Sequence, residues 1–443
     1  AVGGEATGSM DRANPDRAAR LLDVMQERGT LEPWIACAIG DVESVQTQCG
    51  RDPGWVNTPT GPLNIPPLIA ATHSSLVRLE RFQEGIRETV AVLLAAGADP
   101  NAATASRWPP ASLAQPSETE RLSALYAAAG VHFDAEIVSL LLDAGADPND
   151  NESLYHAIEA PDSSIVALLL KAGAVVQGTN AVYHALDYDK FETFALLLDH
   201  TDNVDEPAKG PLLHWAIRRR RSVRHIEAIL AKGANPNAAN KNGDSAFAMA
   251  SRLGLTEVAE ILIAAGADAQ LDVADEFVAA CASGDAAEAR RLQTANPHLP
   301  RALDDTQLSV ISELAALGVS EAVFLMADLG WPLDVRGGDW AASPLNQAVF
   351  RGDAMLVTAL RDRGARWTDE HAFGDNSCGT LSWASINRPH ADGDWLACAE
   401  ALVAHGMPNA TRDPEHPENV LVAGEVRRFS DEVTAYLLSA GTR

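Results

Sequence analysis

Three groups of side chains in this 443-residue sequence have the types and spacing to do chemistry. The first is a pair of Tyr-His dipeptides, Tyr155-His156 and Tyr183-His184, followed by Trp215. On one shared face they would give aromatic walls with imidazole hydrogen-bonders, suited to a peptide or a polar small molecule. The second is Arg218-Arg219-Arg220-Arg221 with Arg224 and His225, the strongest basic cluster of an acidic chain. Guanidinium forks match carboxylates and phosphates, so this cluster is a candidate anion site; the alternative is a surface cluster paired with Asp187, Asp189 and Glu192. The third is Asp369, Glu370, His371 and Asp375, oxygen and nitrogen donors crowded into one loop without any metal-ligand spacing, which is expected to be a solvated polar hairpin that holds no metal. Asp272, Asp275, Asp304 and Asp305 read as helix caps and linkers.

No sequence signature of a catalytic centre accompanies these groups. Gly-x-Ser-x-Gly, a Walker loop, a Rossmann fingerprint and His-Glu-x-x-His are all absent from the sequence. Glu136, Glu257 and Glu260 fall on helices where a solvent-exposed role is the default. No cofactor is expected. A catalytic reading, if one applied, would rest on His156, His184, Glu313 and Asp187 with shifted pKa values.

Composition narrows the partners. Apolar residues make up 47% of the chain, dominated by alanine and leucine, and aromatics only 5%. That is a helix-forming vocabulary. The formal net charge of -27 opposes binding to phosphate backbones and to anionic membranes, and is compatible with a basic partner. The five cysteines, Cys37, Cys49, Cys281, Cys378 and Cys398, show no C-x-x-C spacing, which favours a reducing compartment. No apolar run approaches membrane-spanning length. A cytoplasmic protein is the expectation, although a leader removed before this start is compatible with it. Gly8-Ser9-Met10 resembles a vector-derived remnant, so residues 1–10 are treated as a leader.

The elements that must position these groups are legible as a repeat. A short apolar helix ending in Leu-Leu is followed by Gly-Ala and a polar tip with Asp or Asn, as in Val92-Leu93-Leu94-Ala95-Ala96-Gly97-Ala98-Asp99-Pro100-Asn101 and Leu140-Leu141-Leu142-Asp143-Ala144-Gly145-Ala146-Asp147-Pro148-Asn149. Further copies end at Gly173, Gly233, Gly266 and Gly364, with degenerate ones at Gly330, Gly406 and Gly441. Most spacings are one or two multiples of roughly 30–33 residues, the period of a solenoid. Glycine there takes the left-handed helix cap that a side chain would resist. A second phrase opens the other helix of each unit: Gly210-Pro211-Leu212-Leu213-His214-Trp215-Ala216, Ser343-Pro344-Leu345-Asn346-Gln347-Ala348 and Gly379-Thr380-Leu381-Ser382-Trp383-Ala384. These are similar to the Thr-Pro-Leu-His-x-Ala-Ala phrase of ankyrin repeats. From about residue 31 to the C-terminus the chain resembles a bacterial ankyrin-repeat protein.

The resemblance implies an all-α fold: an ankyrin-repeat solenoid of about twelve helix–turn–helix units with short β-hairpin-like loops. The expected spans are 31–57, 62–101, 121–149, 152–178, 180–205, 209–237, 242–270, 273–303, 305–334, 339–368, 376–409 and 417–443. Residues 11–30, with Ala18, Leu21, Leu22 and Met25 on one face, read as an N-terminal cap helix. Units eight and nine depart most from the pattern, which suggests two sub-stacks, 31–270 and 271–443. Insertions at 102–120, 366–378 and 387–394 are candidate loops on the binding face.

In this family the x of Pro-Leu-His-x-Ala points to the concave face. The implied ladder is Ile35, Ala70, Ala128, His156, His184, Trp215, Met249, Ala279, Glu313, Gln347 and Trp383. Successive rungs lie about 10 Å apart, so His156 and His184 are not expected to share one metal ion. The function implied is a non-catalytic scaffold, a monomer, that recognises a protein or peptide on its concave groove. The alternative is an enzyme or small-molecule receptor around His156, His184 and Trp215.

Overall fold

A computed structural model of the protein describes residues 14–26, 31–106, 120–206, 210–416 and 419–439. Over these it is mostly helical, with few and short strands. Eleven helix pairs follow one another, from Pro33–Ile39 with Val42–Arg51 to Ser377–Asn387 with Trp395–Ala404. Each falls within one of the first eleven expected spans.

Leucine spacing explains the second helix of each pair. In Ala135–Asp143 the residues Ile137, Val138 and Leu141 are buried, and in Ser164–Lys171 the equivalent residues are Ile165, Val166 and Leu169. One stripe of each short helix therefore faces its neighbours. Both helices then end in a left-handed glycine, Gly145 at φ 94° and Gly173 at φ 98°. Two helices this short are not stable alone, so the packing of one pair on the next supplies their stability.

The contacts divide the chain into two compact units, Ala1–Glu206 with Ala231–Gly233, and Pro207–Leu230 with Ala234–Arg443. This division differs from the expected one at 270/271. The reason is that Ala246–Arg252 packs directly on Val273–Ala282, so packing continues through that point.

In the first unit, Pro33–Ile39 packs on Pro67–Thr72, and the second helices Val42–Arg51, Glu80–Ala95, Ala135–Asp143 and Ser164–Lys171 pack in succession. The Pro15–Gln26 helix leans on the 3-10 turn Ser75–Arg78. Its buried face is Ala19 and Leu22, whereas Leu21, expected on that face, is 58% exposed; the side chain of Met25 lies outside the described residues. The third pair opens with Ala124–Tyr126 running into a π-helical turn, Ala127–His132. The insertion after residue 102 starts and ends on a two-stranded ribbon, Ala103–Ala105 against Arg121–Ser123; its Trp108-Pro109-Pro110 and Gln115-Pro116-Ser117 segments lie outside the described residues.

In the second unit the first helices Leu212–Arg218, Ala246–Arg252, Val273–Ala282, Asp305–Leu317, Pro344–Arg351 and Ser377–Asn387 pack in succession. Residues 411–439 depart from the expected twelfth helix pair. A three-stranded meander, Thr411–Arg412, Val420–Val422 and Glu425–Arg427, precedes a single helix, Asp431–Ser439. Val420 and Val422 alternate inward, and Ala423 and Gly424, at φ 52° and 85°, make the tight hairpin turn between the last two strands.

A side-chain staple joins successive turns. Asn101 Nδ2 donates to the Gly145 carbonyl at 3.3 Å, and its Oδ1 accepts from the Asp147 amide at 2.8 Å. Asn57 does the same to Gly97 and Asp99, Asn149 to Gly173 and Val175, and Asn237 to Gly266 and Asp268. A carboxamide carries both a donor and an acceptor, so one Asn closes both backbone groups that the neighbouring glycine turn leaves open. The acid two residues before Asn101, Asp99, takes the Asn101 amide at 2.9 Å and sets its orientation.

Candidate functional site

Two sites emerge, one in each unit. In the first unit Ser153–Ala157 and Ala181–Asp187 are equivalent first helices that carry the two Tyr-His dipeptides. The Tyr155 ring stacks on the His184 ring at 3.9 Å between centroids with an interplanar angle of 10°. Tyr126 and Tyr155 meet His156 edge-on at 5.3 and 5.0 Å, and Tyr188 meets His184 edge-on at 5.0 Å. The result is a strip of alternating phenol and imidazole rings across three successive pairs.

Carboxylates surround the imidazoles. His156 Nε2 lies 3.3 Å from Glu152 and Nδ1 lies 3.0 Å from Glu159. Burial alone would lower the His156 pKa, but the hydrogen bonds to Glu152 and Glu159 overturn that and lift it to about 9. At neutral pH both of its N–H groups donate. Glu159 is correspondingly held down at about 2: burial opposes this, and His156 and His184 outweigh the burial. His184 Nδ1 lies 3.4 Å from Asp187, and its Nε2 lies 3.5 Å from Glu159, an ion-pair distance without hydrogen-bond alignment. The His184 pKa is also raised, against its burial. Burial and the acids nearby push the Tyr188 phenol up to about 12. Lys190 donates to the carbonyls of Ile158, Glu159 and Ala160 and so ties the pair that opens with Ala181–Asp187 to the loop that carries Glu159. This is a cluster of ion pairs between rings, and among the described residues no three His, Cys, Asp or Glu side chains converge as for a metal ion. Tyr183 is buried at 7% exposure, its pKa pushed up to about 12 by that burial and by Glu206 and Asp205.

The second unit holds the arginine cluster, at the turn between Leu212–Arg218 and Val223–Ala231 as the sequence placed it. Arg218 donates to Asp339 at 2.7 Å and Arg219 to the other oxygen of the same carboxylate at 2.6 Å. The Arg219 guanidinium also lies over the Trp215 ring, 5.0 Å from its centroid. Arg220, with a left-handed φ of 51°, reaches the Leu253 carbonyl, and Arg221 folds back on the Arg219 carbonyl. Nearby, Arg252 bonds Asp244 at 2.6 Å and Asp275 at 2.7 Å, and Gln307 adds a bond to Asp275 at 2.8 Å. Asp275, expected as a cap, is instead a buried ion-pair partner; Asp272 and Asp304 do cap their helices. Glu313 is half-buried beside this network. Burial raises its pKa; Arg218 opposes the rise, and Asp339 and Asp244 add to it.

The remaining rungs are unequal. Met249 and Ala279 are half-buried, and Ala279 lines an open cleft of about 430 Å³ with Glu276, Asp285 and Glu288. Gln347 is 2% exposed and donates to the Gly337 carbonyl, holding a hairpin. Ala70 and Ala128 are buried in the first unit. Trp383 is 47% exposed and stacks on Phe350 at 5.6 Å, and Phe350 in turn contacts Trp340 and His390.

The polar loop 366–378 is built inward. His371 is buried against Trp340, Asp375 accepts two bonds from Arg427, and Phe373 stands 80% exposed at the tip. Phe350, Trp340 and Asp339 escaped the sequence reading, since only their neighbours in space give them a role. Asn101, Asn149 and Asn237 were visible as turn residues, but their reach to the next turn was not, and Asn57 carried no such signal. No protein-family model matches this sequence, and no curated protein is significantly similar to it.

Proposed function

We propose that the chain is an ankyrin-repeat solenoid that works as a non-catalytic scaffold, binding a protein or peptide along the face formed by its first helices. The carrying observation is the ring strip of the first unit, where successive first helices carry His156 and His184 at equivalent positions and Tyr155 of one helix stacks on His184 of the next. Rigid aromatic rings edged by charge give contact area at little entropic cost. The recurrence of the Asn staple on the turns at Gly97, Gly145, Gly173 and Gly266 supports the repeat reading. In the second unit, taken by itself, Trp215, Met249, Glu313 and Trp383 stand on first helices and would bind in the same manner, with Arg218, Arg219, Arg220, Arg221 and Arg224 as an anion site. The acidity of the rest of the surface favours a partner whose remaining charge is basic. The protein acts in the cytoplasm as a monomer, without nucleic acid, membrane or cofactor. No helix among the described residues is long and apolar enough to cross a membrane.

The test is selection of binders from a displayed random-peptide library, followed by affinity measurement on Tyr155→Ala and His184→Ala. A loss of about tenfold or more in either variant supports the reading, as expected for an aromatic anchor. Selected peptides indifferent to both changes, and to Trp383→Ala, would sink it. A second reading, a small-molecule receptor or enzyme at the same strip, is favoured by the raised pKa of His156 next to Glu159. A thermal-shift screen of sugars, anions and metals separates the two: a ligand that stabilises wild type but not His156→Ala selects the second.

A further inference from the structure

The bonds from Arg218 and Arg219 to Asp339 join parts of the second unit that the repeat order keeps far apart. Three complete helix pairs, Ala246–Arg252 with Thr256–Ala264 through Asp305–Leu317 with Ser320–Asp328, lie between them in sequence. At about 10 Å per pair, a straight stack would hold the two ends some 30–40 Å apart, far beyond the reach of an arginine. The observed 2.6 and 2.7 Å contacts therefore require the first-helix face of this unit to curl until the hairpin at 333–342 crosses it.

The hairpin is small, and its base is tied by Ser312 Oγ on the Val335 carbonyl at 2.9 Å and by the Ala372 amide on the Trp340 carbonyl at 3.2 Å. Gly337 and Ala342 exchange backbone bonds, Gly338 and Ala341 take left-handed φ values of 75° and 45°, and Asp339 stands at the tip with its side chain 53% exposed. Trp340 anchors one side on Phe350 and His371, and Gln347 holds the Gly337 carbonyl. The arginines are prearranged from the other side: Arg219 is set over Trp215, and one guanidinium addresses each oxygen of the carboxylate. This is how two arginine forks receive an oxyanion, and here the oxyanion belongs to the chain itself.

We propose that Asp339 is a built-in ligand of the Arg218–Arg219 site, and that a carboxylate or phosphate on a partner peptide displaces it and releases the 333–342 hairpin from the binding face. The inference rests on reading the arginine cluster as an anion site. Displacement uncovers the part of the face that holds Glu313, whose neighbours include both Arg218 and Asp339. The net charge of -27 repels extended polyanions, so the ligand is a single oxyanion group rather than a nucleic-acid backbone. An internal competitor lowers the apparent affinity by the fraction of time it occupies the site.

The experiment follows amide exchange of the 333–342 hairpin in the full chain by mass spectrometry, with inorganic phosphate as the first probe. Asp339→Asn should speed exchange at Gly337 and Ala342, and phosphate should bind this variant about five- to tenfold more tightly than wild type. In wild type, phosphate should speed the same amides, while chloride at matched ionic strength should not. Arg218→Lys with Arg219→Lys keeps the charge but loses the forks, and should abolish the phosphate response while the circular dichroism stays unchanged. Peptides carrying phosphoserine or glutamate then distinguish the sources, the more effective competitor naming the oxyanion. Equal phosphate affinity in wild type and Asp339→Asn, with unchanged exchange, would overturn self-occupancy while leaving the anion site in place. An equal response to chloride would reduce the effect to screening and also overturn it. Absence of anion binding to both proteins would remove the anion-site reading itself.

Discussion

In the first unit the charged groups of the ring strip are close in sequence and satisfied by neighbours: His156 by Glu152 and Glu159, and His184 by Asp187 and Glu159. In the second unit Arg218 and Arg219 find their carboxylate 121 and 120 residues away. The first arrangement follows from stacking one unit on the next. The second joins helix pairs that three other pairs separate in sequence, so no single pair encodes it. The chain thus holds two kinds of polar site, one made by adjacent helix pairs and one made by residues more than a hundred positions apart.

Breaking the buried part of the second network should have the largest effect. Arg252→Ala leaves Asp275, 7% exposed, with a carboxylate that has lost its guanidinium. The expected cost is about 3–5 kcal/mol, read from denaturant unfolding. A cost below about 1 kcal/mol would mean that the network contributes little to the second unit.

The adjacent-pair contacts of the first unit should come next. Asn149→Ala removes the bond to the Gly173 carbonyl and the acceptor of the Val175 amide. About 1–2 kcal/mol is expected from such a pair of partly exposed bonds. The same change at Asn237 should cost a similar amount in the second unit, because the staple is repeated there. Unequal costs would show that the turns are not equivalent.

Acidity sharpens the contrast further. The His156 pKa is raised, so its stabilisation is complete below pH 6.5 and is lost as pH rises through about 9. The Glu159 pKa is lowered, so its stabilisation is complete above pH 4.5 and is lost as pH falls through about 2. Between pH 6.5 and 9 wild type should therefore lose about 1 kcal/mol more than His156→Gln, after allowance for solvent screening. Parallel melting curves of the two proteins across that window would remove the ion pairs from the account.

The smallest effect on stability is expected at the clasp. Asp339→Asn breaks an exposed pair and should shift unfolding by no more than about 1 kcal/mol, although it opens the hairpin. A large loss of stability would make Asp339 a structural tie rather than a displaceable one.

Much of the fold was legible because each unit carries its own local signals. The left-handed glycines at 97, 145, 173, 233, 266, 364 and 406 all stand where the Gly-Ala phrase placed them. The apolar stripes of the second helices were equally visible in the Leu-Leu runs. The end of the chain was misread because residues 417–443 keep the period but carry Val420, Val422 and Val426 in alternation, which pairs as strands. The site was legible in part. Spacing placed His156 and His184 at equivalent positions, and the structure stacks Tyr155 between their helices. Spacing gave no means to see that Gln347 turns inward to Gly337, or that Phe350 backs Trp383.

The sequence by itself determined the helix pairs, their turns and the residues that recur at one position of each unit, because helix periodicity and glycine capping act within about ten residues. Only the tertiary structure decided which rungs are buried, which carboxylates raise the His156 pKa, and that Asp339 returns to Arg218 and Arg219. Those outcomes depend on how side chains far apart in sequence pack against one another, which no local pattern of residue types fixes.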